Sequence, residues 1–275
     1  MTAEPPNGRQ TRPACGIGRA GFHLGGVHLI RGIYTAAASM MAETMRQDAT
    51  TNNIANVNTT GFKRDTIAFE SFPEMLLEAS DRRSASSLGR LSPGSLVSVN
   101  GADLTHGAPR QTQNPLDVYI VGEGFFVVET PEGEAYTRDG SFVLGPNNQL
   151  YTAKGHPVLG TWGRITLTQG EGSIDAEGRV FSGAMQAGVL RVVRFDSRTG
   201  WTKDAYGYLV PPADSGQAVP LARISLEPGY VEDSNVNAIR EMVNLITVLR
   251  SYEAGAKALA AHDQTLEKAV NEIAR

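Results

Sequence analysis

Residues 238–273 read AIREMVNLITVLRSYEAGAKALAAHDQTLEKAVNEI. Counted in sevens, one position takes Ala238, Leu245, Tyr252, Leu259, Leu266 and Ile273, and a second takes Met242, Leu249, Ala256, Asp263 and Val270. Only Asp263 is polar. A two-position apolar repeat held over about five heptads predicts a helix that packs on other helices. Asp233 or Ser234 supplies the side-chain oxygen expected at its N-cap. The competing reading lays the helix on its own β domain. A β domain of about 110 residues cannot cover a helix roughly 60 Å long, so the packing partner is sought in another helix.

The other terminus offers one. Ile33, Ala37, Met41, Met45 and Ala49 recur every four residues and predict an amphipathic helix over 30–56. Gly61 is placed to take the left-handed conformation that ends a helix at low cost. Asn52, Asn53, Asn56 and Asn58 are poor helix formers whose side chains bond backbone groups, as at a fraying helix end.

Between the helices the period changes. FFVVE at 125–129 is followed by Thr130-Pro-Glu-Gly, a short run at 135–138, Asp139-Gly140, and further runs at 141–144 and 149–152. Short β runs separated by Pro-x-Gly and Asp-Gly predict a meander of hairpins, resuming at 165–167, 179–181 and 189–195. The predicted fold is therefore mixed and segregated. Long N- and C-terminal helices pair as a coiled-coil-like module and flank a central all-β domain. The expected segments are 1–28 (disordered), 29–64 (helix), 65–115 (extended connector, with strands near 96–99 and 104), 116–229 (β-rich) and 230–275 (heptad helix).

Composition excludes several functions. With 41% hydrophobic and 20% charged residues the chain reads as globular. The net charge of −4, without a Lys/Arg cluster, argues against nucleic acid. No apolar run reaches the roughly 18 residues of a membrane span. Residues 13–28 hold no apolar core of a cleavable signal, and Cys15 is the only cysteine, so no intramolecular disulfide is possible.

No catalytic or ligand constellation emerges. Gly122-Glu-Gly124 precedes a strand, whereas a dinucleotide loop must open a helix, so a bulge or tight bend is expected there. The histidines His23, His28, His106, His156 and His262 share no metal-ligand spacing. The pairs Asp175/Glu177 and Glu134/Asp139 lie in turn-rich stretches where acidic residues are common. No catalytic, cofactor-binding or metal residue is assigned, and no small-molecule substrate is expected.

Several segments carry a family likeness. Asn52-Asn-Ile-Ala-Asn-Val-Asn-Thr-Thr-Gly-Phe-Lys-Arg64 resembles the N-terminal signature of the bacterial flagellar rod and hook proteins. Gly229-Tyr-Val-Glu-Asp-Ser-Asn-Val-Asn237, Glu241-Met-Val-Asn-Leu-Ile246 and Arg250-Ser-Tyr-Glu253 resemble their C-terminal signature. Asn114-Pro-Leu-Asp117, Gly122-Glu-Gly-Phe-Phe-Val127, Tyr136-Thr-Arg-Asp-Gly-Ser-Phe142 and Gly155-His-Pro-Val-Leu-Gly160 are similar to the family's β domain.

The resemblance implies a non-enzymatic basal-body rod subunit, built into a helical axial tube that carries torque from motor to hook. Its implied partners are itself, other rod and hook axial subunits, and the flagellar type III export apparatus, which exports without a cleaved signal. It implies an assembly interface of Asn52, Asn53, Ile54, Asn56, Asn58, Gly61, Phe62, Met242, Leu245, Leu249, Tyr252, Leu259 and Leu266. Residues 1–28 have no counterpart in the pattern, which implies an upstream start with the true initiator at Val27 or Leu29. The alternative is a secreted β-rich binding module with a coiled-coil oligomerisation tail.

Overall fold

The computed structural model describes residues 25–273 except 72–74, 82–83, 92–94, 169–171, 198 and 222, with side chains described from 32 to 69 and from 101 onward. Cys15 and the rest of 1–24 lie outside the described residues.

Two long helices flank a β-rich centre. Helix α1 spans Gly25–Ala55 and α2 spans Ala238–Ile273. The first begins a turn earlier than expected and takes in residues 25–28. The N-cap of α2 is Asn237, not Asp233 or Ser234: its Oδ1 accepts from the Arg240 N–H at 3.0 Å.

The helices lie side by side and antiparallel. A Cβ on Gly32 would come within 2.7 Å of the His262 ring, and one on Gly255 within 3.0 Å of Met40. Ala42 and Val248 are buried along this contact. The row of α2 turned toward α1 is thus Glu241, Val248, Gly255 and His262, flanked by half-buried Leu245, Leu259 and Leu266. Most of the expected second seam row faces away, with Met242, Leu249 and Val270 exposed and Ala256 half-buried, and Tyr252 of the first row is exposed too. Counting large apolar residues passes over Gly255, although a missing side chain is what lets two helices approach closely.

Residues 65–102 hold more pairing than the expected connector. Strands β1 (Asp65–Ser71) and β4 (Ser95–Ala102) pair antiparallel, with β2 (Met75–Asp81) and β3 (Ser84–Leu91) pairing between them. Leu104 is not in a strand but packs half-buried on the β-domain core.

The β domain is organised by β7 (Phe125–Thr130), reached after β5 (Pro109–Gln111) and β6 (Val118–Ile120). It pairs with β8 (Gly133–Thr137) on one side and Val192–Arg194 on the other, inside a six-stranded sheet. Alternate side chains of a strand point to opposite faces. Phe126 and Val128 accordingly enter a core with Phe142, Leu150, Val158, Leu167 and Leu190. Phe125 and Val127 enter a second core with Tyr136, Val193, Phe195 and Trp201. Covering both faces is why Phe125–Val128 is an unbroken apolar run. Gly124, at φ +146°, makes the bend that starts the strand.

Tyr208 is buried in the first core, its Oη 2.6 Å from Thr152 Oγ1 and 3.2 Å from His156 Nδ1. Burial pushes its phenol from 10.0 up to about 12. Between these values the unfolded chain loses the proton while the folded chain keeps it, so stability falls as pH rises through this window. The denaturant midpoint should drop from pH 10 upward, and Tyr208→Phe should make that drop shallower. An unchanged slope in the variant would refute the assignment.

Candidate functional site: the junction of helices and β domain

The chain leaves α1 through a tight turn. The Asn53 side chain, almost fully buried, donates to the Asp65 carbonyl at 3.0 Å and accepts from the Asp65 N–H at 2.7 Å, closing a backbone-like pair. Asn52 Nδ2 donates to Asp65 Oδ2 at 2.6 Å, and Asn56 Nδ2 donates back to the Asn52 carbonyl at 2.9 Å. Gly61 has φ +64°, and its N–H donates to the Glu232 carbonyl at 2.7 Å. A Cβ there would sit 2.2 Å from the Asp139 backbone nitrogen, so only glycine fits.

Below the turn lies a buried charge cluster. Lys63 Nζ is 2.6 Å from Glu232 Oε1 and donates to the Thr105 carbonyl at 2.6 Å. Glu232 Oε1 also accepts from the Gly107 N–H at 2.8 Å, while Arg138 stands 3.5 Å from Oε2. The Lys63 and Glu232 side chains are each 1% exposed. Burial lowers the Lys63 ammonium below its usual range, and Glu232 pulls it back up.

A second layer ties in the start of α2. Asn235 Oδ1 accepts from the Arg64 N–H at 2.7 Å, and its Nδ2 donates to the Asp103 carbonyl at 2.8 Å. Arg64 reaches Glu241 in the first turn of α2 at 3.3 Å, where an acidic side chain suits the helix dipole. Thr60 Oγ1 donates to Asp139 Oδ1 at 2.8 Å.

Of the expected interface residues, Asn53 and Gly61 are thus committed inside the chain. Phe62 is half-buried beneath Lys203, whose Nζ is 3.6 Å from the ring centroid, and Ile54 is half-buried. Asn52, Asn58, Met242, Leu249 and Tyr252 reach solvent, while Asn56, Leu245, Leu259 and Leu266 are intermediate. Sequence reasoning missed Lys63, Arg138 and Glu232. Each was a charge within a quoted motif, and their distance along the chain hid the pairing.

The carboxylates weighed as catalytic pairs are held by other groups. Arg179 lies 2.6 Å from Asp175 and 3.0 Å from Glu177, and Arg191 lies 2.8 Å from Glu134. Burial pushes the Asp175 carboxyl up, but Arg179 outweighs it and leaves the group below its ordinary range. Among the described residues no three His, Cys, Asp or Glu side chains gather as a metal site, and no helix is long and apolar enough to cross a membrane.

Three family models match. They are the flagella basal body rod protein model over residues 33–63, the flagellar hook protein FlgE/F/G D1 domain over 119–182, and the flagellar basal body rod FlgEFG protein C-terminal model over 227–272. Each matched segment contributes one member of the buried cluster: Lys63, Arg138 and Glu232. The chain is 32% identical to the flagellar basal-body rod protein FlgF of Caulobacter vibrioides, covering 88% of this chain and 96% of that one. It is 31% identical to the flagellar hook-basal body complex protein FlhO of Bacillus subtilis, covering 90% and 100%. It is 30% identical to the rod protein FlgG of Borreliella burgdorferi, covering 88% and 98%.

The chain belongs to the flagellar basal-body rod protein family. It is a structural subunit of the flagellar basal body and works with other basal-body components in motility. In this rod protein the junction gives the helix pair a defined origin on the β domain.

Proposed function

We propose that this rod subunit is exported without a cleaved signal and polymerises outside the cytoplasm into a torque-bearing axial tube, without enzymatic activity. Its helix pair is the assembly module, continuing in the polymer as coiled-coil-like packing with the helices of neighbouring copies and other axial subunits. One observation carries this reading. The flank of α2 turned away from α1 is apolar, with Ile239, Met242, Val243, Ile246 and Leu249 all 40% or more exposed. An apolar row this long on a monomer's surface marks an interaction surface.

Met242→Asp/Ile246→Asp should abolish rod assembly and swimming. Monomer melting should move by no more than about 0.5 kcal/mol, since the positions are already solvated. Motility retained by the double variant would refute the interface. Melting lost in parallel with motility would mean that the row packs within the subunit. A secreted binding module with an oligomerisation tail would instead yield closed oligomers of fixed size.

A further inference from the structure

The turn at 161–162 carries Trp162, which is 90% exposed. The hairpin that presents it is well held. Leu159 pairs with Arg164 and Gly160 with Gly163. The Thr161 N–H donates to the Val189 carbonyl at 2.9 Å, and Arg164 forks onto Glu129 at 2.7 and 2.9 Å. An aromatic side chain on a preorganised turn loses little loop entropy when it binds, and tryptophan is enriched among residues that dominate interfaces.

The same extended segment ends the other way in a second turn. The Thr152 N–H donates to the His156 carbonyl, closing a turn that carries Lys154, and Val158 then bridges to Val128 before the chain reaches Trp162. Lys154 and Trp162 therefore stand at opposite ends of one strand segment. At the Lys154 end lies a cleft of about 500 Å³ lined by Asn56, Phe62, Lys154, Lys203, Ala205 and Tyr206. Lys203 is closed off between the Phe62 ring, 3.6 Å from its centroid, and Asp65 at 2.7 Å, whereas Lys154 is exposed, 4.8 Å from the Tyr208 centroid and donating to the Tyr206 carbonyl at 2.8 Å. Burial lowers both lysines below their usual range. The exposed Lys154 ammonium beside Tyr206 is the cation that an indole face could meet here.

We propose that Trp162 of one subunit seats in the Phe62–Lys154–Tyr206 cleft of the next copy of this chain, an inference that rests on the polymerisation reading above. A projection at one end of this segment and a recess at the other make a head-to-tail contact between copies. Such a contact does not close on itself and extends into a filament. Because that extended segment holds Trp162 apart from Lys154, the contact forms between copies.

The chain has two tryptophans, and Trp201 is fully buried, its Nε1 donating to the Ser197 carbonyl at 2.9 Å. Acrylamide should therefore quench one of the two in the purified full-length monomer and neither in sedimented polymer. In a Cys15→Ser/Trp162→Cys/Ala205→Cys chain, oxidation of the polymer should give a ladder of covalent multimers that either single cysteine lacks. Polymer whose Trp162 is still quenched, or that yields no ladder, overturns this contact and leaves polymerisation standing. A wild-type chain that never sediments overturns the polymerisation reading and the contact with it. If only the cysteine variant fails to sediment, the quenching result on the unsubstituted chain decides.

Discussion

Glu232→Ala is expected to destabilise the folded subunit by about 3–5 kcal/mol, among the largest losses any single side chain here would cause. Its carboxylate faces Lys63 at 2.6 Å and Arg138 at 3.5 Å and also accepts from the Gly107 N–H. Removing it takes the counter-charge from two buried cations, which keep only backbone carbonyls, and the acceptor from the Gly107 N–H. Lys63→Met should cost less, because Glu232 keeps Arg138 and Gly107. Chemical denaturation of the purified chain would measure both. A loss under about 1 kcal/mol for Glu232→Ala, well below what breaking a buried pair costs, would mean that water reaches the site. Equal losses for the two variants would show that Arg138 does not share the carboxylate. Because α2 starts six residues after Glu232, at Ala238, motility should fall along with stability.

The second large effect is expected at Gly61. Gly61→Ala places a Cβ in the left-handed region, which costs roughly 1–2 kcal/mol for a residue with a side chain. The same Cβ meets the Asp139 nitrogen at 2.2 Å and the Arg138 carbonyl carbon at 2.6 Å, both backbone atoms that no rotamer change can move. Overpacking adds about 1–3 kcal/mol, so a combined loss of roughly 2–5 kcal/mol follows. The strain must be relieved by separating the end of α1 from the 138–141 segment, which lengthens the Gly61–Glu232 backbone bond. Faster hydrogen exchange at the amides of residue 61 and Arg64, measured with the denaturation midpoint, would report that opening. A midpoint within about 0.5 kcal/mol of the parent, the size of an ordinary surface change, would show that the turn is not tightly apposed to the sheet.

Much of this fold was legible because its signals are short-range. The four-residue stripe before Asn52, the turn residues between 130 and 148, and the apolar repeat after Ala238 each encode local structure within a few residues. The left-handed backbone expected at Gly61 is there, at φ +64°, but the helix stops at Ala55 and Gly61 instead seats the following turn against the sheet. The pairing of 65–102 was less visible. Its ladders are made by the backbone, and Ser- and Gly-rich strands carry little side-chain alternation to betray them.

The sequence by itself determined a helix at each end, the all-β centre and, through its motifs, the family. It could not decide which side of α2 turns inward. Val248 and Leu249 are adjacent and similarly apolar, yet one is buried and the other 40% exposed. A helix with apolar residues on two flanks satisfies more than one register, and the choice falls to where Gly32 and Gly255 allow the backbones to approach. Nor could it bring Lys63 to Glu232 across 169 residues. A charge buried at that separation has no local periodicity to announce it. Only the closed fold, which removes water from both partners at once, makes them a pair.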